Sequence, residues 1–425
     1  MTQISEAKCG KITQQIKDVA KKEHVDVDEV KKGVASGHIV IPFNQVHSPE
    51  PFGIGKGLRV KVNANIGTSM EYCNVKEEIE KAKIAIEAGA HAVMDLSTGG
   101  DLDKIRLALI KAVSVPFGTV PVYQAGIEAI KKHGSVIEMT EDDMFNSFEK
   151  QAKQGVDFAV VHVGVTMESV ERLRRQKRLI PMVSRGGAFH MAWILHNKKE
   201  NPLYKNFDYL LELAKKYDIT LSLGDGMRSG ALHDSNDRAK FQELLIIGEL
   251  VERAREKGVQ TMVEGPGHMP LNDIQANIQV MKTVTKLAPY FVLGPLVTDI
   301  APGYDHFVGG IGGALAGFYG ADFLCYLTPA EHLCLPDKND VRDGVIATRI
   351  AAHAADLARG IDKDVDSTFS KARESLNWNK MFEVCIDPEK AKEYRKKRLP
   401  FEETKACSMC GKLCAIEIVR KYIKQ

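Results

Sequence analysis

The sequence predicts an α/β fold, a (β/α)8 TIM barrel, on two observations. Short β-branched runs alternate with amphipathic helical patterns, and the runs end in polar or glycine-rich residues. Eight such units occupy roughly 250 residues. A doubly wound open sheet is the rival arrangement, and a count of eight strand runs favours the barrel.

A small N-terminal domain is expected over residues 1–55, with helical spacing in Gln14–Lys22 and Val27–Lys32. A Pro/Gly-rich stretch from Ile41 to Gly57 marks its end. The barrel is expected over 56–345. Its strands are read at Leu58–Asn65, His91–Ser97, Phe117–Tyr123, Asp157–Val163, Leu179–Ser184, Ile219–Asp225, Gln260–Glu264 and Tyr290–Gly294. Helices are read at Glu77–Ala88, Asp143–Gln154, Phe207–Lys216, Phe241–Lys257 and Leu271–Leu287. In Phe241–Lys257 the apolar residues recur at three- and four-residue steps, a stripe suited to a sheet. Residues 346–425 read as a helical region, with helices at Val345–Leu357 and Pro388–Lys397, ending in a flexible arm.

The chain has 425 residues, 44% hydrophobic and 27% charged, ordinary for a globular protein. A formal net charge of +2 argues against a nucleic-acid or membrane surface as the main partner. The basic run Arg172–Arg178 reads as a solvated helix face. No apolar stretch reaches the roughly 18 residues of a membrane span, and the polar N-terminus lacks a signal core. A cytoplasmic location is expected, where the eight cysteines read as thiols or metal ligands.

Cys407, Cys410 and Cys414 stand within eight residues of one another. Structural zinc takes four protein ligands, and so does an ordinary cubane cluster. Three thiolates leave one iron open, able to bind a substrate-like cofactor such as S-adenosylmethionine. Zinc with a distant fourth ligand is the alternative. The other cysteines, Cys9, Cys73, Cys325, Cys334 and Cys385, are scattered and read as small buried side chains.

The strand ends carry Asn65, Ser97, Tyr123, His162, Ser184-Arg185-Gly186-Gly187, Asp225-Gly-Met-Arg228 and Glu264-Gly-Pro-Gly-His268. Each alone reads as a turn or core residue. Their convergence on one rim is what suggests a site. Ser184–Gly187 offers a guanidinium and close backbone amides to a phosphate, and Arg228 is a second anionic clamp. His268 and His332 could form an open metal site, with His306 a competing ligand.

From about residue 56 onward the chain resembles the thiamin-pyrimidine (phosphomethylpyrimidine) synthase family of radical S-adenosylmethionine enzymes. The resemblance rests on Val62-Asn-Ala-Asn-Ile-Gly-Thr-Ser69, Met94-Asp-Leu-Ser-Thr-Gly-Gly100, Gly118-Thr-Val-Pro-Val-Tyr123, Val183-Ser-Arg-Gly-Gly187 and Ser222-Leu-Gly-Asp-Gly226. It continues through Glu264-Gly-Pro-Gly-His268, Leu293-Gly-Pro-Leu296, Thr298-Asp-Ile-Ala-Pro-Gly-Tyr-Asp-His306 and the three cysteines. It implies 5-aminoimidazole ribotide as substrate, a [4Fe-4S] cluster on Cys407, Cys410 and Cys414, and S-adenosylmethionine cleaved to a 5′-deoxyadenosyl radical. Substrate contacts carry over to Asn65, Met94, Tyr123, His162, Ser184, Arg185, Gly186, Asp225, Gly226, Met227, Arg228 and Glu264. Glu264 and His162 would handle protons. His268 and His332 would hold zinc or another divalent metal. The resemblance also implies a homodimer and an electron donor such as flavodoxin or ferredoxin.

Several positions depart from the family pattern. The cysteine spacing is two then three rather than two then four. Tyr290-Phe291 reverses the usual Phe-Tyr, Ser229 replaces a proline, Cys334 stands where Gly or Arg is usual, and Phe307–Gly310 replaces a Thr-Ser-containing segment. Clustered on the catalytic face, these changes favour a related enzyme, 5-hydroxybenzimidazole synthase, which makes the cobamide lower ligand from the same ribotide. The alternative is 4-amino-5-hydroxymethyl-2-methylpyrimidine phosphate, the thiamin precursor. A non-radical barrel lyase with a zinc-stabilised tail is a further alternative.

Overall fold

The structure is a computed structural model that describes residues 1–399 and 405–423. Two compact units divide the chain, Met1–Asp356 and Leu357–Gln425.

The first unit begins with three helices, α1 (Gln3–Lys8), α2 (Gln14–Glu23) and α3 (Val27–Ser36). Thr2, Thr13 and Asp26 cap them through their side-chain oxygens. A short antiparallel pair follows, β1 (Ile39–Val40) with β2 (Ile54–Gly55). Ile4, Ile16, Val19, Val30, Val34 and Ile41 form a separate apolar cluster here.

Eight parallel strands then close into a barrel: β3 (Lys61–Ile66), β4 (Ala92–Asp95), β5 (Phe117–Thr119), β6 (Phe158–Val161), β7 (Thr220–Leu223), β8 (Thr261–His268), β9 (Tyr290–Leu296) and β10 (Phe323–Cys325). Pairing of Phe323 with Lys61 and of Cys325 with Asn63 closes the ring. The ring is surrounded by α4 (Val75–Glu87), α5 (Leu102–Ala112), α6 (Pro121–His133), α7 (Glu141–Gln154), α8 (Met167–Arg175), α9 (Arg185–Asn197), α10 (Pro202–Lys205), α11 (Phe207–Tyr217), α12 (Arg238–Lys257), α13 (Leu271–Val284), α14 (Asp305–Tyr319) and α15 (Lys338–Ala358). Strands such as β4 and β6 are buried throughout, which is why they read as continuous apolar runs.

The predicted barrel is therefore present, with one strand misassigned. Leu179–Ser184 is not a strand. Pro181 interrupts it, and Leu179, Ile180 and Val183 are exposed at 68%, 40% and 41%. The true eighth strand, β10, has only three residues, too few to show a period. With β10 in place of Leu179–Ser184, the ring still has eight strands. Helices α5, α6, α9 and α14 were also not read from the sequence. Tyr123 lies in the first turn of α6 rather than at a strand end.

Asp157, just before β6, fastens the N-terminal segment to the base of the barrel. It accepts from the Asn44 and Phe117 amides and meets His47 Nδ1 at 2.6 Å. With the base covered, the opposite rim, at the carboxyl ends of the strands, is left for a site. Inside, Phe323 lies 6.1 Å from Phe52 and 4.3 Å from Phe291, a column of rings running from the N-terminal segment into the barrel.

The second unit contains α16 (Lys363–Glu374), α17 (Trp378–Val384), α18 (Pro388–Lys397) and α19 (Ala415–Arg420). The cysteine segment is not a loose arm within the described residues. Cys414 is buried with Leu376 and Ala406, and the Ala406 carbonyl accepts from Arg395 at 3.2 Å. The Arg395 guanidinium lies 4.2 Å over the Trp378 ring.

Candidate active site

A cavity of about 490 Å³, counting its open mouth, lies inside the carboxyl rim of the barrel. Asn65, Met94, Tyr123, His162, Asp225, Arg228 and Glu264 line it, together with Phe291, Leu293 and Cys325. Seven of the sequence-derived substrate residues thus meet in one place. Five others do not line it. Arg185 stands at the mouth, its guanidinium 5.0 Å from the Tyr123 ring centroid. Ser184 caps α9 by accepting from the Gly187 amide, and its hydroxyl meets His162 Nε2 at 3.1 Å. Gly186 packs on the His162 ring so closely that a Cβ would fall 2.2 Å from a ring carbon. Gly226 and Met227 face away, and the Met227 side chain is fully buried.

Burial sets the charge states. Glu264, which accepts from the Ser222 hydroxyl at 2.9 Å, is pushed up to about 8 by burial and then by nearby Asp225. That shift favours its protonated form at neutral pH. Burial also raises Asp225, against the pull of the Arg228 guanidinium, whose Nη1 donates to it at 3.0 Å. His162 is held well below its usual value by burial, with His190 and Arg228 adding to the effect. The cavity therefore combines the Arg228–Asp225 ion pair, a carboxyl that burial favours protonated and an imidazole that burial favours neutral, a set suited to binding a polar substrate and exchanging protons.

Two residues of the wall were missed as site residues. Cys325 accepts from Asn65 Nδ2 at 2.9 Å. It sits on the strand too short to be recognised. Glu331 stands beside His332 at the mouth and is raised by burial.

His268 and His332 come together at the rim, with ring centroids 5.7 Å apart. His268 Nδ1 meets Asp299 at 2.8 Å, and His332 Nδ1 lies 3.5 Å from Asp305. A carboxylate on Nδ1 is the arrangement that presents Nε2 to a metal, so the pair fits a divalent ion. His306 packs on the Phe307 ring at 4.2 Å. Among the described residues, no three His, Cys, Asp or Glu side chains form a preformed ion site.

Cys407, Cys410 and Cys414 occupy one tight turn, in which the Cys410 and Gly411 amides donate to the Cys407 carbonyl. The Cys407 thiol is lowered, chiefly by the Cys410 backbone amide. A thiolate favoured by backbone amides suits iron ligation.

A family model described as the Radical SAM ThiC family matches residues 2–421. The chain belongs to that family. Family membership brings S-adenosylmethionine and an iron–sulfur cluster as cofactors and makes the chain an enzyme. Relatives named phosphomethylpyrimidine synthase occur in Caldanaerobacter subterraneus subsp. tengcongensis, Methanocaldococcus jannaschii and Pyrococcus abyssi. The first is 57% identical over 100% of this chain and 98% of its own length. The second is 56% identical over 100% of both chains. The third is 57% identical over 100% of this chain and 99% of its own.

These relatives overturn the 5-hydroxybenzimidazole reading. The geometry explains why the departures from the family pattern misled. Of Phe291, Ser229 and Phe307–Gly310, only Phe291 lines the cavity. The Ser229 hydroxyl donates to the His268 carbonyl at 2.5 Å, a side-chain tie between two neighbouring segments. Phe307 lies on α14 and is 58% exposed. Tyr290 does not compensate for Phe291, because adjacent strand residues point to opposite faces. Its hydroxyl is instead buried against Asn277 at 3.3 Å. The basic run also holds a correction. Arg178 is no solvated face residue: its side chain is 1% exposed and binds Asp237. No helix among the described residues is long and apolar enough to cross a membrane.

Proposed function

We propose that the chain converts 5-aminoimidazole ribotide to 4-amino-5-hydroxymethyl-2-methylpyrimidine phosphate, a step of thiamin biosynthesis. The observation that carries this reading is the cavity in which Arg228, Glu264 and His162 meet, in a chain more than half identical to synthases of that name. Cys407, Cys410 and Cys414 would hold the iron–sulfur cluster, which would supply the electron for reductive cleavage of S-adenosylmethionine.

Arg228 grips the ribotide phosphate, and Arg185 at the mouth adds a second guanidinium. Tyr123 and Met94 pack the sugar and ring, and Asn65 hydrogen-bonds the imidazole. Glu264, protonated, gives a proton to the rearranging ring, and neutral His162 accepts one. Ser184 and Gly186 fix the His162 ring. Gly226 and Met227 shape the turn that presents Arg228. Zinc between His268 and His332 is supported by their carboxylate partners and would stabilise charge at the rim. A homodimer and a one-electron donor such as flavodoxin or ferredoxin complete the reading.

The test is anaerobic turnover of the cluster-loaded protein with ribotide, S-adenosylmethionine and dithionite, read by mass. Pyrimidine phosphate together with 5′-deoxyadenosine is expected. Deoxyadenosine without pyrimidine phosphate, or neither product, overturns the assignment.

A further inference from the structure

The turn that carries Asp225 and Arg228 is held from outside the cavity by two side chains that no motif singled out. Glu243, on α12, is 2% exposed. Its Oε2 accepts from the Met227 amide at 2.8 Å. Arg178 takes the carbonyls of the same turn. Its Nη2 donates to Met227 O at 2.7 Å and its Nη1 to Arg228 O at 3.4 Å. Asp237 holds the guanidinium in place through Nε and Nη2, at 2.5 and 2.9 Å.

The surroundings make room for this arrangement. A Cβ on Gly164 would lie 2.6 Å from Glu243 Cγ, and one on Gly226 would lie 3.2 Å from Glu243 Oε1. Stability alone gives little reason for a carboxyl here. Glu243 Oε1 has no hydrogen-bond partner among the described residues, and a buried unpaired oxygen costs free energy that an apolar side chain would not. Lys240, one helical turn earlier and 8% exposed, also lacks a partner for Nζ among the described residues. Polar groups kept at such cost beneath a charged turn point to a role in setting its geometry.

We infer that Glu243 and Arg178 are positioning residues. One through the Met227 amide and the other through the Met227 and Arg228 carbonyls, they fix the backbone of Asp225–Arg228 so that the Arg228 guanidinium is preset for the substrate's phosphate. The inference rests on the ribotide reading of the cavity. Binding loss, rather than loss of chemistry, is the consequence. An unclamped turn must be ordered by the substrate itself, which weakens affinity by the population of the competent state.

The experiment compares the cluster-loaded wild type with Glu243→Ala, Glu243→Gln and Arg178→Met in anaerobic turnover. Glu243→Ala and Arg178→Met are expected to raise the ribotide KM tenfold or more while kcat changes less than threefold. Glu243→Gln, whose amide oxygen still accepts from the backbone, is expected to return KM to within about fivefold of wild type. Wild-type KM in a folded Glu243→Ala overturns the inference. If that variant does not fold, Arg178→Lys decides: it keeps the charge but loses the fork, so a raised KM supports the clamp and an unchanged one overturns it. A wild type that does not turn over ribotide sinks the functional reading and not the clamp. Amide exchange at Gly226 and Met227 then decides: faster exchange in Glu243→Ala than in Glu243→Gln supports the clamp, and equal exchange overturns it.

Discussion

The Ser184 hydroxyl and the His162 imidazole meet at 3.1 Å, joining the N-terminus of α9 to the wall of the cavity. Ser184 Oγ accepts from the Gly187 amide and still has a lone pair and its own proton for the imidazole. The bond fixes the orientation of the imidazole in the cavity wall. Replacing Ser184 by Ala removes a helix cap and the tie on the imidazole together. The cap costs about 1 kcal/mol, and turnover should fall roughly a hundredfold, the lower end for the loss of an oriented proton carrier. Thermal unfolding and kcat read the two effects separately.

Glu264 makes a pH prediction. Its ordinary value is 4.5 and burial raises it to about 8. Below the lower value both folded and unfolded chains carry the proton, and nothing is lost. Between the two values the unfolded chain ionises while the folded one holds its proton, so stability falls as pH rises and levels off above about 8. Asp225 and Glu243 are raised too and act with the same sign. Glu264→Gln should flatten this slope. Denaturant titrations from pH 5 to pH 9 measure it, and an unchanged slope in the variant would count against the assignment.

The cysteine turn predicts a colour. Each of Cys407→Ala, Cys410→Ala and Cys414→Ala should lose the visible absorbance of the reconstituted protein and all deoxyadenosine formation. The barrel should meanwhile bind ribotide as before, because none of the three thiols lines the cavity. Absorbance, deoxyadenosine release and equilibrium binding on the same samples check this.

Tyr290 and Phe291 are neighbours with opposite fates. Tyr290→Phe removes the buried bond to Asn277 and should cost about 1 kcal/mol of stability, with the product unchanged. Phe291→Tyr places a hydroxyl in the cavity wall and should change the ribotide KM. A shift in KM from Tyr290→Phe would contradict the alternation that points it away from the cavity.

Phe323, fully buried between Phe291 and Phe158, tests the overlooked strand. Phe323→Ala should destabilise the barrel by about 3–5 kcal/mol. Urea denaturation reads this as a lowered midpoint.

The order of strands and helices was largely visible because most barrel strands are continuous apolar runs and most helices carry a stripe. The failures were local. Leu179–Ser184 has strand-like composition, yet it lies on the rim, where Asp234 accepts from the Leu179 and Ile180 amides at 3.0 Å instead of a neighbouring strand doing so. Phe323–Cys325 has strand geometry without enough residues to announce it. That miss hid Cys325, whose place in the cavity depends on pairing with β3.

By itself the sequence determined the chemistry available: three cysteines in one short segment, a rim of polar strand ends and the motifs of a family. It could do so because these are properties of residue type and spacing. The tertiary structure decided which of those groups share a space and in what state. Tyr290 turned outward and Phe291 inward, Arg178 left the surface to hold a turn, and Glu264 became an acid that keeps its proton. Direction and burial arise from contacts between residues far apart in the chain, and no local pattern records them.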